Sequence, residues 1–560
     1  MASVPMLGRW GFLPIAVPGA LYIMVRLGRH AFPTGRGSDR ALAGFVLTTA
    51  LAIAAVRMLS AIHCLTGVAL LASFVLLTIV VGVASRNAPG TLMLRQLVTV
   101  ATAPLLVAAS AAVSIAALAA VWLPVWQWDA LGYHLPYVDF ALVARGLNGV
   151  PDDMPYVSTY PHVVETLIIA LRAMLPDDRL VDLAQIPFAI AGALATAAIA
   201  RLAGAPRPTA LAAGASWILA PAVFLQMPTD YVDVASAAFF LTSIYFALAA
   251  SRPADGTNAA TSKTKKHVLL AGLALAVYVG TKPNAPMSAA MVAALLAWIG
   301  LRAKQGPAVL VAMALLLLGC ETFIANTLHY GNPVWPVEVK IGPLLLHGKT
   351  SMQHLLDSGA AAPHLHGPLL SRIARSWTAM TSPPVFDMRI GGFGPLVLVA
   401  APCVATVPAR LRPWLGVLAG ALGVFQIAYA LPGLTGEGPP LSSYAGMTEA
   451  ERAGAVGADG PPAPFMMARA MVASDETFAF DQSMELPYLA WESDLRYRAV
   501  WIPDSLVSTQ AVESFLDREN VRVVAVADDS PTGEWLNRKP ERFLKLFQCK
   551  SSPCSVFARR

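Results

Sequence analysis

The sequence of 560 residues predicts a mainly α, polytopic transmembrane helix bundle of about twelve spans, followed by a small C-terminal α/β domain. Hydrophobic residues make up 56% of the chain and charged residues only 13%, with a mean hydropathy of +0.58. An ordinary soluble domain carries roughly 25% charge. The apolar residues are gathered in stretches close to the roughly 20 residues that a helix needs to cross a bilayer. From about residue 470 that pattern gives way to short alternating runs.

The expected spans lie near residues 12–28, 41–63, 65–85, 98–123, 183–203, 208–225, 231–250, 267–281, 284–301, 306–325, 393–408 and 412–431. Lys and Arg are retained on the cytoplasmic side when they sit in short loops. Alternate loops carry Arg26, Arg29, Arg36 and Arg40; Arg86 and Arg95; Arg201 and Arg207; Arg252, Lys263, Lys265 and Lys266; Arg302 and Lys304; Arg410 and Arg412. The short loops of the other set, residues 61–67 and 226–230, have neither residue type, and the turn at Lys282 has one. This bias orients the bundle with both termini outside. It also accounts for the net charge of +6, since the cytoplasmic basic residues face anionic headgroups, so no nucleic-acid partner is expected. The first span follows a short N-terminus without a small-residue cleavage site and is read as a retained helix.

Four regions follow: N-terminal membrane helices over residues 1–97, a membrane core over 98–431 with outside loops at 126–182 and 326–392, a Gly-, Pro- and Ala-rich linker over 432–470, and an outside α/β domain over 471–560. In the first loop, Pro136 to Leu147 and Tyr160 to Leu175 read as interface helices with charges on one face, Asp139 and Arg145 in one, Glu165 and Arg172 in the other. In the C-terminal domain, Tyr497 to Ile502 and Val521 to Val526 read as strands, Ser508 to Glu519 as a helix, and Phe543 to Phe557 as a terminal hairpin. Cys64, Cys320 and Cys403 fall in or beside spans, whereas Cys549 and Cys554 lie in the outside tail, where an oxidising compartment permits a disulfide.

The polar strings cluster on the outside. Trp128-Asp129-Ala130-Leu131-Gly132-Tyr133-His134-Leu135-Pro136 places an aspartate at the membrane boundary, where partial desolvation favours the proton-accepting role a general base needs. An interface anchor of Trp, Tyr and His would leave the same string. Tyr160-Pro161 with Glu165 follows, then Thr229-Asp230-Tyr231-Val232-Asp233, Gly280-Thr281-Lys282, Tyr330-Gly331-Asn332-Pro333-Val334-Trp335-Pro336, Asp387-Met388-Arg389 and Gly391-Gly392-Phe393-Gly394-Pro395. Lys282 also fits a lysine snorkelling to headgroups, Asp230 or Asp233 a helix cap, and Asn332-Pro333 a turn. Arg57 and Glu321 lie inside spans, where ionisable side chains are costly, and are expected to face a cavity or each other.

The order of these motifs, over roughly residues 98–395, resembles bacterial members of the GT-C superfamily of membrane glycosyltransferases, especially relatives of the protein O-mannosyltransferases and of the aminoarabinose transferases that modify lipid A. The resemblance implies an enzyme of the bacterial plasma membrane, active on the extracytoplasmic side, that moves a sugar from a polyprenyl-phosphate donor to a glycan, lipid or protein acceptor. It implies Asp129 as the catalytic carboxylate, with Tyr133, His134, Glu165, Asp233, Lys282 and Arg389 binding substrate and Lys282 on the donor phosphate. Ala325 stands where relatives commonly have Arg, so Arg57 or Arg389 is the expected substitute at that phosphate. A divalent cation is compatible with Asp129, Asp152, Asp153 and Glu165, although their spacing defines no site. A transporter or flippase of lipid-linked sugars would also need many spans and buried charges. The chain shows no repeat of six-span halves, and its polar strings lie on one face. A polysaccharide ligase or polymerase shares the donor and the side of action.

Overall fold

The computed structural model describes residues 13–85, 103–152, 154–175, 180–252, 258–302, 305–351, 353–354, 367–378, 392–396, 412–435, 440–447, 463–473, 476–484, 486–491, 495, 498–503, 505–506, 511–548 and 553–560. The protein is an integral membrane helix bundle with a small α/β domain at its C-terminal end. The bundle helices are α1 Leu13–Ala31, α2 Gly37–Ala61, α3 Gly67–Ala84, α4 Ala103–Trp122, α7 Ile186–Leu202, α8 Arg207–Ile218, α9 Pro221–Gln226, α10 Asp233–Ala250, α11 Asn258–Val279, α12 Ala285–Arg302, α13 Gly306–Leu318, α14 Glu321–Tyr330 and α16 Arg412–Ala430. Two short helices, α5 Leu135–Val143 and α6 Glu165–Met174, lie in the first long loop, and α15 Leu369–Thr378 lies in the second.

Seven stretches among the described residues are helical, long and apolar enough to cross a membrane: α2, α3, α4, residues 181–202, α10, α12 and residues 414–434. Helices α13 and α14 make an eighth if taken as one span bent by 58°. Eleven of the twelve expected stretches are therefore helical, and the remaining one, at 393–408, falls almost wholly outside the described residues.

Two expected spans are broken. Residues 208–225 divide at Pro221, which cannot donate to the α8 ladder and restarts the chain as α9. Buried Gln426 of α16 repairs the break, donating from Nε2 to the freed carbonyl of Leu219 at 2.5 Å and accepting the Leu396 N–H at 3.1 Å. Residues 306–325 divide at Gly319, where a Cβ would stand 2.0 Å from the carbonyl oxygen of Ala276. Close approach of α11 therefore requires glycine at that bend.

Elsewhere small residues let helices meet without a hydrophobic drive between them, as lipid interiors demand. Along α4, Leu105, Ala108, Ala109, Ala112, Ala116 and Ala119 recur at three- and four-residue spacing and are buried, in a helix that packs on α8 and α16.

The second long loop holds a three-stranded sheet of β1 Val337–Ile341, β2 Leu344–Leu346 and β3 Thr350–Ser351 in the order β2-β1-β3. The C-terminal domain is a five-stranded sheet of β4 Thr477–Phe480, β5 Arg498–Trp501, β6 Val521–Ala527, β7 Phe543–Gln548 and β8 Cys554–Arg559, in the order β5-β4-β6-β8-β7. β4 is parallel to β5 and β6, and β8 is antiparallel to β6 and β7. Helices α17 Ala463–Met471, α18 Val512–Arg518 and α19 Pro531–Asn537 pack on it. The expected strands, the helix (shortened to Val512–Arg518) and the terminal hairpin are present; β4, α19 and α17, which lies over the expected linker, are additions. Part of the expected linker is packed as well: Gly433, Leu434, Thr435 and Tyr444 are buried. Cys554 is disulfide-bonded, whereas Cys64 and Cys320 are free; Cys549 and Cys403 lie outside the described residues.

Candidate active site

At the end of α4 the chain leaves the bundle and Asp129 leads into a π-helical turn, Ala130–His134, that continues as α5. This turn is a common functional irregularity because its wider winding re-aims side chains. It puts Tyr133 beside Asp129, and the Tyr133 hydroxyl donates to Asp129 Oδ2 at 2.9 Å. Burial, and then the Asp129 charge, push the Tyr133 phenol well above its usual range, so it remains a donor. The Asp129 N–H donates to the Tyr231 hydroxyl at 3.2 Å. Asp129 itself is half-buried, so its carboxylate has one oxygen engaged and keeps access to the surroundings.

Behind this turn, Glu165 begins α6 and is 1% exposed. Its Oε1 meets His134 Nδ1 at 2.7 Å and His162 Nδ1 at 2.9 Å. Burial alone would raise the carboxyl, but the His162 and His134 imidazoles outweigh it and bring the carboxyl down to about 2. Tyr133, Tyr156 and Tyr160 pack with ring centroids 5.2–6.4 Å apart, and Tyr231 lies 5.9 Å from the His134 ring. Tyr156 takes a positive φ of 65°, which is rare for a bulky side chain and marks a constrained position. Its hydroxyl meets Thr350 Oγ1 at 2.9 Å and ties this loop to the small sheet.

Asp233 opens α10 two residues after Tyr231, and Lys282 follows the end of α11; Lys282 Nζ and Asp233 Oδ1 are 2.5 Å apart. The lysine is 23% exposed and points at a carboxylate, so free snorkelling does not describe it. The N-cap of α10 is Val232, and Asp233 is the first residue of the helix. The Gly280-Thr281-Lys282 turn sits on the first loop, with the Val163 N–H donating to the Gly280 carbonyl at 2.8 Å. A Cβ on Gly280 would lie 2.3 Å from Val163, so glycine permits the contact that brings Lys282 to this loop.

The structure thus joins Asp129, Tyr133, His134 and Glu165 in one contact network, and Asp233 with Lys282 in a pair linked to it through the Tyr231 segment and the Val163–Gly280 bond. Arg389 and Asp387 lie outside the described residues, as does Asp153. Arg57 of α2 pairs with Glu321 of α14 across the bundle surface, with side chains 38% and 65% exposed. Asn332 serves the turn, its amide donating to the Val337 and His347 carbonyls at 2.9 Å each.

Three of the four charges placed on the faces of the two first-loop helices lie away from the surface. Asp139, Glu165 and Arg172 are buried. Asp139 and Arg172 face each other across α5 and α6 at 3.7 Å, whereas Arg145 is exposed. His162 and Tyr231 were not singled out from the sequence as site residues. The His162–Glu165 spacing of three at a helix start was the available signal for the first; Tyr231 lay inside a string already noted. Among the described residues no group of three or more His, Cys, Asp or Glu is arranged to hold a metal ion.

No family model and no curated protein matches the chain. Among solved structures it is similar to ArnT from Cupriavidus metallidurans in the apo state, with a TM-score of 0.44 and 13% identity over 82% of this chain and 98% of that one. The same protein bound to undecaprenyl phosphate gives 0.44 and 14% with the same coverage. An oligosaccharyltransferase from Archaeoglobus fulgidus, in complex with zinc and sulfate, gives 0.30 and 12% over 80% of this chain and 73% of that one.

Proposed function

We propose that the chain is a membrane glycosyltransferase that moves a sugar from a polyprenyl-phosphate donor to an acceptor hydroxyl at the loop-bearing end of the bundle, the extracytoplasmic side of a bacterial plasma membrane. The observation that carries this reading is half-buried Asp129, its carboxylate oriented by the Tyr133 hydroxyl and its backbone N–H bonded to Tyr231, two residues before the Asp233 that pairs with Lys282. A base and a positive charge are the two groups such a displacement needs. Asp129 takes the proton of the acceptor hydroxyl, and the acceptor oxygen attacks the anomeric carbon. The bond from that carbon to the phosphate oxygen breaks, with inversion, and polyprenyl phosphate leaves. Lys282 exchanges Asp233 for the phosphate, a task that suits a compact ammonium charge. The ordered motifs from residue 98 to 395 support the same reading.

Purified protein in lipid nanodiscs, given a polyprenyl-phosphate sugar, should release polyprenyl phosphate only when an acceptor is added. Movement of the donor across a vesicle membrane without its consumption would instead make the chain a flippase.

A further inference from the structure

Glu165 offers one oxygen to two imidazoles, His134 Nδ1 at 2.7 Å and His162 Nδ1 at 2.9 Å. An ionised carboxylate only accepts, so both Nδ1 atoms carry hydrogen. The far nitrogens differ. His162 Nε2 lies 3.3 Å from the Tyr156 carbonyl oxygen, a second acceptor. That ring has an acceptor at each end, and both are satisfied only when both nitrogens carry hydrogen. Tyr137 stacks on it with centroids 4.1 Å apart and planes 20° apart, a face suited to a cation.

His134 Nε2 is shut from solvent and has no hydrogen-bond partner among the described residues, and the whole side chain is 2% exposed. A neutral ring leaves a lone pair there, whereas a charged ring would bury an unpaired N–H. The charges then close: Glu165 and His162 cancel in a site where a net buried charge is expensive, and His134 stays neutral.

We propose that His162, as an imidazolium, is the counter-charge that keeps His134 neutral, and that neutral His134 is a positioning residue for Asp129, acting through Tyr133. The Tyr133 ring lies 4.2 Å from that of His134 while its hydroxyl holds Asp129. A charged His134 would put a cation one ring away from Asp129 and make that carboxylate a weaker proton acceptor. Among the described residues the other groups facing the cluster do not supply that charge, Asp129 being an anion. Tyr133, Tyr137, Tyr156, Tyr160 and Tyr231 are phenols, Arg57 is paired with Glu321, and Arg172 faces Asp139. The consequence for Asp129 rests on the glycosyl-transfer reading; the proton arrangement stands without it.

Nitrogen NMR of isotope-labelled histidine in the wild-type protein tests the arrangement directly, with His134→Gln and His162→Gln giving the assignments. At neutral pH His162 should show two protonated nitrogens and His134 one, at Nδ1. In His162→Gln, the second proton should pass to His134, because Glu165 would otherwise be a buried carboxylate without a counter-charge. Transfer by that variant should fall at neutral pH by up to about tenfold, as the weakened base transfers protons less efficiently. It should recover as pH rises, with the donor KM unchanged. A neutral His162 in the wild type, or a loss that alkali does not relieve, overturns the proposal. If the wild type transfers no sugar, the function above fails and the NMR result alone decides this one.

Discussion

Asp129→Asn separates proton affinity from architecture. Asparagine keeps the shape of the side chain, and the Tyr133 hydroxyl can still donate to its amide oxygen. The Asp129 backbone bond to Tyr231 is untouched. What is lost from the folded state is the charge assistance of one bond, about 1 kcal/mol from the difference between charged and neutral hydrogen bonds. That is too little to unfold a bundle anchored elsewhere. What is lost from the reaction is the base, at least about 100-fold, equivalent to about 2.7 kcal/mol of barrier. Tyr133→Phe gives the scale: it leaves the charge and removes one part-exposed bond, so a loss of about tenfold is expected. The assay is acceptor-dependent release of polyprenyl phosphate, with size-exclusion profile and thermal midpoint as folding controls. Wild-type turnover by Asp129→Asn, or a larger loss in Tyr133→Phe than in Asp129→Asn, would refute the assignment of the base.

Lys282→Ala should chiefly raise the donor KM, and Lys282→Arg should retain part of the affinity; an unchanged KM in the alanine variant would restrict the lysine to its pairing with Asp233. Glu165 has a carboxyl depressed from 4.5 to about 2, so its contribution to stability is complete above the unfolded value and is lost as pH falls from 4.5 through about 2. Thermal midpoints in detergent should therefore drop over that acid window in the wild type and much less in Glu165→Gln; equal drops would place the acid sensitivity elsewhere. Cys554 is in a disulfide, and mass mapping of unreduced protein should recover its peptide joined to that of Cys549. A Cys549 thiol that reacts with alkylating reagent before reduction would exclude that pairing.

The bundle was legible because lipid solvent imposes length and composition on every span. The breaks were not, because hydropathy continues across Ile218–Pro221 and Leu318–Glu321 while the backbone turns. Pro221 hinted at the first; the second depends on how closely α11 passes Gly319, a tertiary fact. In the C-terminal domain, β6 and the terminal hairpin announced themselves by alternation, but Thr477–Phe480 is four residues long and its strand exists through pairing on both sides with β5 and β6. The pairing of Arg57 with Glu321 followed from the cost of leaving either alone in a membrane. The fate of Glu165, Asp139 and Arg172 did not follow, since a polar helix face looks the same whether water or another polar face lies against it. Periodicity gave the face and left its partner open.

The apolar side of the first loop meets the C-terminal domain, with which it shares one hydrophobic cluster. Phe140 of α5 meets Trp491 edge-on with centroids 4.8 Å apart, and Trp491 meets Phe480 of β4 at 6.3 Å. The short turn Pro487–Ala490 rests on the π-helical turn that carries Tyr133 and His134. Arg469 of α17 fixes that turn from the domain side, donating to the Leu489 carbonyl at 2.7 Å and the Trp491 carbonyl at 2.9 Å. Lifting the domain away would expose Phe140, Phe480 and Trp491 together, and at about 25 cal/mol per Å² of apolar surface such large aromatic side chains make that separation costly. The place of Asp129 is therefore set from two directions, by the end of α4 and by the domain, while Lys282 is held through its pair with Asp233 and the turn that meets Val163.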